Sequence, residues 1–235
     1  MATLKALVGP FVPASIARRL KSISLRKRSN ADIFGEIYRT KTWGGPDKDF
    51  YSGPGSEPDV IAPYISGVRR FLATHPGSAV VDIGCGDFVA GSQLVDLAKT
   101  YIGCDVVADL IERNRRKFPN INFEALDAAK DPLPSGDIVI VKQVLQHLRN
   151  DQIQAIVNKL RQYKIWIICD HIPIGSFTAN IDVQTGPYAR IRFNSGVVLT
   201  EPPFSVKPRT TAVLSEVASP PPVPHGIIRT LAYSF

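Results

Sequence analysis

A tight turn suited to binding a ligand follows the first strongly apolar run of the chain. Residues 80–88 (VVDIGCGDF) read as a buried strand that runs into this turn, with a carboxylate at Asp82. Gly84 and Gly86 are spaced so that the backbone can approach a ligand closely. A dinucleotide-binding fingerprint would place a third Gly or Ala where Val89 stands, so its strict form is absent. The turn therefore predicts a nucleotide-like ligand without specifying which one.

A second carboxylate, Asp105, ends the predicted strand 101–105 (YIGCD). At the end of the second strand of a parallel sheet, a carboxylate can accept hydrogen bonds from both ribose hydroxyls of an adenosine. Enzymes that bind NAD use the same arrangement, so Asp105 by itself does not choose between cofactors. Asp127 follows a third predicted strand, 121–126, in the same way.

His147 is the best candidate for a general base. It follows the fourth predicted strand, 137–141, and an imidazole with a pKa near 6.5 can accept a proton at neutral pH. Asp170 and His171 stand at the carboxyl end of a fifth predicted strand, 164–169, the edge at which open α/β sheets bind ligands. All three side chains are predicted to be catalytic. The alternative for His147 is a structural role at a helix cap or at the edge of the core.

A metal site is a second interpretation of the same edge. Asp170, Asn180 and Asp182 offer oxygen ligands of the kind that Mg²⁺ prefers, and a histidine could join them. Their spacing matches no metal-binding motif, so hydrogen bonding to a polar substrate is the competing interpretation. Arg190 and Arg192 alternate within a predicted strand, so both are expected on one side of it, facing an anionic substrate or solvent.

Taken in order, these elements resemble the class I S-adenosylmethionine-dependent methyltransferases. The resemblance lies in D-x-G-x-G at 82–86, in the two carboxylates that follow the second and third strands, and in the segment VKQVLQHLRN at 141–150. It implies a Rossmann-like, doubly wound seven-stranded α/β sheet with an antiparallel last strand, and the cofactor S-adenosyl-L-methionine. The residues that it places at the cofactor are Asp82, Gly84, Cys85, Gly86, Asp105, Val106, Asp127 and Gln143.

A second resemblance concerns the acceptor of the methyl group. The pattern W-G-G…Y-S-G-P-G-S at 43–56, followed by a predicted helix, is similar to a subgroup of bacterial glycan and small-molecule O-methyltransferases. It implies that 32–56 folds over the cofactor, whereas a surface loop is the alternative. It also implies methylation of a hydroxyl on a sugar or glycoside. Three alternatives stay open: an amine, carboxylate or natural-product phenol acceptor; a non-catalytic cofactor-binding scaffold; and a dehydrogenase, which Val89 disfavours.

Length and composition are those of one globular domain. The chain has 235 residues, of which 44% are hydrophobic and 21% charged, and the domain is expected to span 32–235. No apolar run approaches the roughly 18 residues of a membrane-spanning helix. Because the cofactor is also made in the cytosol, we expect a cytoplasmic protein. Cys85, Cys104 and Cys169 lack C-x-x-C spacing and are expected to be buried, reduced thiols.

The net charge of +7 is confined to the first 31 residues. The remainder balances 21 basic against 21 acidic residues, so the folded body gives no sign of a nucleic-acid substrate. A basic extension of this kind predicts a peripheral contact with an anionic membrane, or a solvated or partner-docking arm without specific function. Its basic residues are Lys5, Arg18, Arg19, Lys21, Arg26, Lys27 and Arg28, and it contains no acid.

The other elements must position these groups. The segment 32–56 is expected to be rich in loops, because it is dense in glycine and polar residues. Hydrophobic periodicity predicts four helices, and the second of them would direct its positive N-terminal end at the glycine turn. The four predicted helices span 57–75, 90–99, 107–118 and 151–163.

A β-rich insertion is predicted at about 172–210. Alternation in 189–193 and an apolar run at 197–199 indicate a hairpin that turns at 194–196. Two final strands, 212–217 and 227–235, are separated by a proline-rich loop.

Overall fold

The computed structural model describes residues 28–45, 47, 49–221 and 226–235, so most of the basic extension lies outside the described residues. A seven-stranded sheet has the order β3-β2-β1-β4-β5-β7-β6. The strands are Ala79–Ile83 (β1), Thr100–Asp105 (β2), Asn122–Ala125 (β3), Ile138–Lys142 (β4), Ile165–Pro173 (β5), Thr210–Ala218 (β6) and Gly226–Ser234 (β7).

Strand direction confirms the predicted α/β fold. Strands β1 to β5 run parallel, and β7 pairs antiparallel with both β5 and β6. The central strands β4 (IVIVK) and β5 are almost wholly apolar and buried. Such continuous apolar runs are typical of parallel strands that are covered on both faces, whereas a half-exposed strand would alternate.

Helices cover both faces of this sheet. Helix α2 (Pro58–Ala73) packs its apolar side, with Val68 and Leu72, against one face. Helix α4 (Asn150–Leu160) packs Ile153 and Val157 against the other face. Three of the predicted helices are thereby confirmed, with ends that shift by one to three residues. The described α-helices are Asn30–Arg39 (α1), Pro58–Ala73 (α2), Ala108–Lys117 (α3) and Asn150–Leu160 (α4).

The predicted helix at 90–99 is wrong. The segment forms two short 3₁₀ turns, Gly91–Gln93 and Val95–Leu97. The Ser92 hydroxyl donates back to a backbone carbonyl at 3.1 Å, a bond that competes with helical hydrogen bonding. The first turn also packs against the ring of Phe88, where a Cβ on its leading residue would overlap the ring. Consequently no α-helix directs its N-terminus at the glycine turn from this segment.

The expectation of a loop-rich segment at 32–56 is wrong in its first third, which is helix α1. The helix begins with a reciprocal capping box, in which Ser29 Oγ accepts from the Asp32 N–H and the Asp32 carboxylate accepts from the Ser29 N–H. Ile33 and Ile37 on its inner side are buried. The predicted domain boundary after residue 31 therefore falls inside the first turn of a helix.

The predicted hairpin in 172–210 is also wrong. Strand β5 continues to Pro173, and Arg190–Phe193 is a 3₁₀ turn that ends in a left-handed Asn194. Arg190 is fully buried, and its guanidinium donates to the backbone carbonyls of Ile181 and Leu148. The alternation in 189–193 therefore does not mark a strand. The buried guanidinium of Arg190 instead connects the loop at Ile181 with the loop at Leu148.

Two further expectations can be compared with the described residues. The three cysteines are buried and free, as predicted. Within the described ranges, the helices are too short or too polar to cross a membrane.

Candidate active site

A cavity of about 340 Å³ lies at the carboxyl ends of the parallel strands, a size ordinary for a small-molecule site. Its floor is formed by the ends of β1, β2, β4 and β5 and by the turn after β3. Its cover is formed by α1, by residues 42–43 and 52–56 and by residues 187–192. All eight residues that the resemblance placed at a cofactor line this cavity, as do His147 and His171.

The glycine turn after β1 can be built only with glycine. Gly84 and Gly86 have φ angles of +72° and +54°, a region that side chains rarely adopt. A Cβ on Gly84 would overlap Val144, and a Cβ on Gly86 would lie 2.5 Å from the hydroxyl of Ser52. The turn therefore holds the bare backbone against the cavity, which is the condition for close approach to a ligand.

Asp105 is locked in place at the end of β2. Its carboxylate accepts hydrogen bonds from the backbone N–H of Gly86 at 3.2 Å and of Val107 at 3.0 Å. Burial raises the pKa of Asp105 to about 6, although these N–H groups favour the charged form. At neutral pH the group is thus an ionised acceptor beside the glycine turn.

Asp82 is a second buried carboxylate on the floor of the cavity. It accepts a hydrogen bond from the Tyr101 hydroxyl at 2.9 Å. Burial raises the pKa of Asp82 to about 6, while the tyrosine and the positive charge of Lys142 oppose this shift. Together with Asp105 it makes this end of the cavity strongly acidic.

Asp127 is held by a residue that sequence reasoning missed. The side-chain amide of Asn30 donates to both carboxylate oxygens of Asp127, at 3.0 and 3.2 Å. The Ala129 N–H donates to the same carboxylate at 3.0 Å. Asn30 immediately follows the helix cap at Ser29, so the capping box was the sequence signal that could have placed it in the fold.

The segment predicted to fold over the cofactor does cover the cavity. The Ser52 hydroxyl accepts from the Asp87 N–H at 3.0 Å and lies 3.3 Å from the Tyr38 hydroxyl. The Trp43 indole donates to the carbonyl of Pro187 at 3.0 Å, which joins the two parts of the cover. The surface-loop alternative is therefore not supported.

Lys142 is a second residue that sequence reasoning missed, although a lysine at the end of an apolar strand is an unusual choice. Its ammonium group lines the cavity and donates to the carbonyl of Gly55 at 3.2 Å and to Gln143 Oε1 at 2.8 Å. Burial lowers the pKa of Lys142 below its usual range. It supplies a cation to the cavity wall, and its charge acts on the carboxylate of Asp82.

The two histidines meet through one glutamine. Gln146 Oε1 accepts from the His171 backbone N–H at 3.0 Å and lies 2.8 Å from His171 Nδ1. Gln146 Nε2 lies 3.2 Å from His147 Nε2. Burial lowers the pKa of both rings to about 4, so both are neutral at pH 7.

Asp170 does not share the site with its neighbour. Successive side chains of a strand point to opposite faces, and His171 lines the cavity while Asp170 does not. Asp170 is 3% exposed, and burial raises its pKa to about 8. The structure therefore brings His171, but not the predicted pair, to the cavity.

The proposed magnesium ligands are used elsewhere. The Asn180 amide donates to the carbonyls of Val198 at 2.9 Å and Pro202 at 2.8 Å, and so ties a loop together. Asp182 accepts from the Asn150 N–H at 2.8 Å at the start of α4. Among the described residues no cluster of three His, Cys, Asp or Glu side chains is suited to a metal ion. The magnesium hypothesis is not supported.

Of the two arginines expected to face a substrate, only Arg192 lines the cavity. Its guanidinium lies 4.4 Å from the centre of the Tyr188 ring, at the outer edge of the cover. Arg190 is buried, and its hydrogen bonds to two backbone carbonyls stabilise the fold.

Comparison with known proteins agrees with this geometry. A methyltransferase domain family matches residues 80–163. A protein of Mycolicibacterium smegmatis, described as a probable S-adenosylmethionine-dependent methyltransferase, is 27% identical over 151 residues. That alignment covers 63% of this chain and 53% of the relative, so the chain spans about half of the relative's length. Over residues 80–163 the chain is therefore similar to methyltransferase domains.

Solved structures share the methyltransferase fold at low sequence identity. The N-methyltransferase NodS of Bradyrhizobium japonicum WM9, solved with S-adenosylhomocysteine, has a TM-score of 0.59 at 12% identity, over 84% of this chain and 98% of NodS. The complex of DhpI with S-adenosylhomocysteine has a TM-score of 0.50 at 16% identity, over 75% of this chain and 86% of DhpI. At such identities these similarities establish the fold alone.

Proposed function

We propose that this chain transfers the methyl group of S-adenosylmethionine to a hydroxyl of a small polar acceptor, a sugar or glycoside. The observation that carries the proposal is that one cavity is lined by two sets of side chains. The first set is the carboxylates of the β1 and β2 ends and of the turn after β3, and the second is the two neutral histidines. Sites of the first kind bind adenosine and a cation, and those of the second kind bind a polar group that loses a proton.

The acidic part fits the proposed cofactor. The bare glycine turn permits close approach of a nucleoside, and Asp105 beside that turn would accept hydrogen bonds from two ribose hydroxyls. Asp127, which is fixed by Asn30, would accept a hydrogen bond from the adenine amino group. When bound, the cofactor supplies a methyl group on a positively charged sulfur, and the carboxylate of Asp82 complements such a charge.

The main contribution of this chain's residues would be to position the acceptor relative to the methyl group. Methyl transfer is an in-line displacement, so the acceptor oxygen must be held close to the methyl group and aligned with it. The cover formed by α1, by residues 42–43 and 52–56 and by residues 187–192 shields part of the cavity from solvent. A hydroxyl acceptor must also lose its proton, and the histidine pair is the neutral base in the cavity.

Calorimetry tests the cofactor part of the proposal. The protein should bind S-adenosylhomocysteine and not NAD. Asp105→Ala should weaken that binding by ~1.5–3 kcal/mol, because two ribose hydroxyls lose a charged acceptor. Asp109→Ala, which removes an exposed carboxylate from the first turn of α3, is the matched control. Binding of NAD alone would contradict the proposal and favour a dehydrogenase.

Transfer of a labelled methyl group tests the acceptor. Glycosides should be methylated in preference to amines, carboxylates and phenols of similar size. A preference for amines would contradict the O-methyltransferase assignment and favour an N-methyltransferase. Cofactor binding with no transfer to any acceptor class would favour a non-catalytic scaffold.

A further inference from the structure

Gln146 lies between two histidine rings and can adopt only one orientation. It is 3% exposed, and its Oε1 accepts from the backbone N–H of His171 at 3.0 Å. A peptide N–H can only donate, so the oxygen of the amide must face His171. The amino group of Gln146 must then face His147.

The orientation of Gln146 determines where His171 carries its proton. Its Nδ1 lies 2.8 Å from Gln146 Oε1, which can only accept, so Nδ1 carries the hydrogen. Gln143 Nε2 also approaches Nδ1, but at 3.5 Å. Gln143 cannot turn its oxygen toward the ring, because that oxygen accepts from Lys142 at 2.8 Å. The neutral ring of His171 therefore keeps its lone pair on Nε2.

The same amide determines where His147 carries its proton. Gln146 Nε2 donates to His147 Nε2 at 3.2 Å, so this ring nitrogen is the acceptor. The hydrogen of neutral His147 is consequently on Nδ1. Of the four nitrogens in these two rings, His147 Nδ1 and His171 Nε2 have no hydrogen-bond partner among the described residues, and both are buried. Both rings line the cavity.

We propose that Gln146 gives the two histidines opposite tasks: His171 Nε2 accepts the proton of the methyl acceptor, and His147 Nδ1 donates a hydrogen bond to that acceptor. The inference rests on the proposed function and deepens it. It moves the general base from His147, which the sequence favoured, to His171. Gln146 is a positioning residue, because it acts only through the two rings.

The step balances in atoms and electrons. The acceptor O–H proton moves to His171 Nε2, and an oxygen electron pair forms the O–CH₃ bond. The C–S bond breaks, and its electron pair stays on sulfur as a neutral thioether. His171 becomes an imidazolium, which returns its proton to solvent. The nearby charge of Lys142 and the burial of the ring favour the neutral form, so His171 starts the step unprotonated at pH 7.

Nuclear magnetic resonance of ¹⁵N-histidine protein tests the tautomers without any turnover. The chain has only four histidines, and single His→Gln variants assign each ring. At pH 7, His147 and His171 should both be neutral with the hydrogen on Nδ1. A hydrogen on Nε2 of either ring would overturn the inference and leave the proposed function standing.

The variant Gln146→Glu separates positioning from a structural role. A carboxylate still accepts from His171, but its second oxygen can no longer donate to His147. The His147 hydrogen should therefore move to Nε2, while His171 keeps its tautomer. An unchanged His147 tautomer in a folded variant would contradict the role of Gln146.

Kinetics then separate the two rings. His171→Gln should lower kcat by ~10²–10⁴-fold and remove the acid limb of the rate profile, with the affinity for S-adenosylhomocysteine retained. His147→Gln should raise the KM of the acceptor and keep the acid limb. His75→Gln, whose ring lies outside the cavity beside the Phe71 carbonyl, is the control. Loss of the acid limb in His147→Gln, with its retention in His171→Gln, would reverse the assignment.

Discussion

Asn30 donates hydrogen bonds to both carboxylate oxygens of Asp127, at 3.0 and 3.2 Å, across 97 positions of sequence. The carbonyl oxygen of the same amide accepts from Gln152 Nε2 at 2.7 Å. One buried side chain thus joins the first turn of α1, the turn after β3 and the helix α4. Because α1 also covers the cavity, the geometry of the proposed adenine site depends on this contact.

The first prediction concerns that contact. Asn30→Ala removes the amide that donates to Asp127, so the carboxylate is no longer held in one orientation for hydrogen bonding to adenine. We expect affinity for S-adenosylhomocysteine to fall roughly tenfold, about 1.5 kcal/mol, as measured by calorimetry. Asn158→Ala, at an exposed position of α4, should leave affinity unchanged. If Asn30→Ala and Asn158→Ala bind S-adenosylhomocysteine equally well, the contact between Asn30 and Asp127 is not needed for cofactor binding.

The second prediction concerns the basic extension. Deleting residues 1–27 removes six of its seven basic residues and keeps the cap of α1, so cofactor affinity should persist. Deleting 1–31 also removes Ser29 and Asn30, and affinity should fall. If the extension contacts anionic membranes, either deletion should abolish sedimentation with anionic vesicles. Loss of cofactor binding in the shorter deletion would show that residues 1–27 belong to the site.

The positions of the strands along the chain could be predicted from the sequence because their signals are local. Residues 138–141 are apolar throughout, and Asp105 ends the strand β2. The parallel arrangement then brings these strand ends to one edge. The rest depends on tertiary contacts: the tautomer of His171 is set by Gln146, 25 residues away, and no periodicity records that contact.

Two wrong predictions have specific physical causes. The helix at 90–99 fails because its side chains bond to nearby carbonyls and because its first turn packs against Phe88. The pairing of Asp170 with His171 fails because neighbours on a strand point to opposite faces. The second error could have been avoided from the sequence once 165–173 was recognised as one long strand.

The third prediction compares two helical glycines. A Cβ on Gly67 in α2 would overlap the carbonyl oxygen of Leu214 in β6, whereas a Cβ on Gly35 in α1 would meet nothing within 4 Å. Gly67→Ala should therefore lower the free energy of unfolding by ~1–3 kcal/mol, since backbone must move. Gly35→Ala should raise it by ~0.5–1 kcal/mol through helix propensity. Urea denaturation measures both; a stabilising Gly67→Ala would contradict the packing of α2 on β6.

The fourth prediction concerns Asp170. Burial raises its pKa from 3.8 to about 8, so the folded protein holds a proton there that the unfolded chain releases above pH 4. The contribution of this group to stability therefore declines as pH rises from 4 to 8 and is constant above 8. Asp170→Asn should be more stable than the parent by ~1–3 kcal/mol at pH 8, with the difference shrinking toward pH 4. Denaturation at pH 5 and pH 8 measures this; a destabilised variant at pH 8 would show that the charged carboxylate is needed.

The fifth prediction concerns the pH dependence of methyl transfer. A base accepts a proton only when it is unprotonated, and the pKa of about 4 keeps His171 unprotonated down to about pH 5. With S-adenosylmethionine saturating, so that protonation of Asp82 and Asp105 near pH 6 does not limit cofactor binding, the rate with a hydroxyl acceptor should be constant from pH 6 to pH 8 and decline only below pH 5. This differs from the limb near neutrality that an ordinary histidine would give.

The variant Gln146→Glu makes that profile diagnostic. A carboxylate 2.8 Å from His171 Nδ1 stabilises the imidazolium, so the pKa of His171 should rise and the acid limb should move toward neutrality. The conservative change Asp109→Glu, on the exposed side of α3, should leave the limb in place. With S-adenosylmethionine saturating, a limb between pH 6 and pH 7 in the parent protein would contradict proton removal by His171 as it is buried in this structure. A limb that stays fixed in Gln146→Glu while the tautomer of His147 changes would assign proton removal to a group outside the histidine pair.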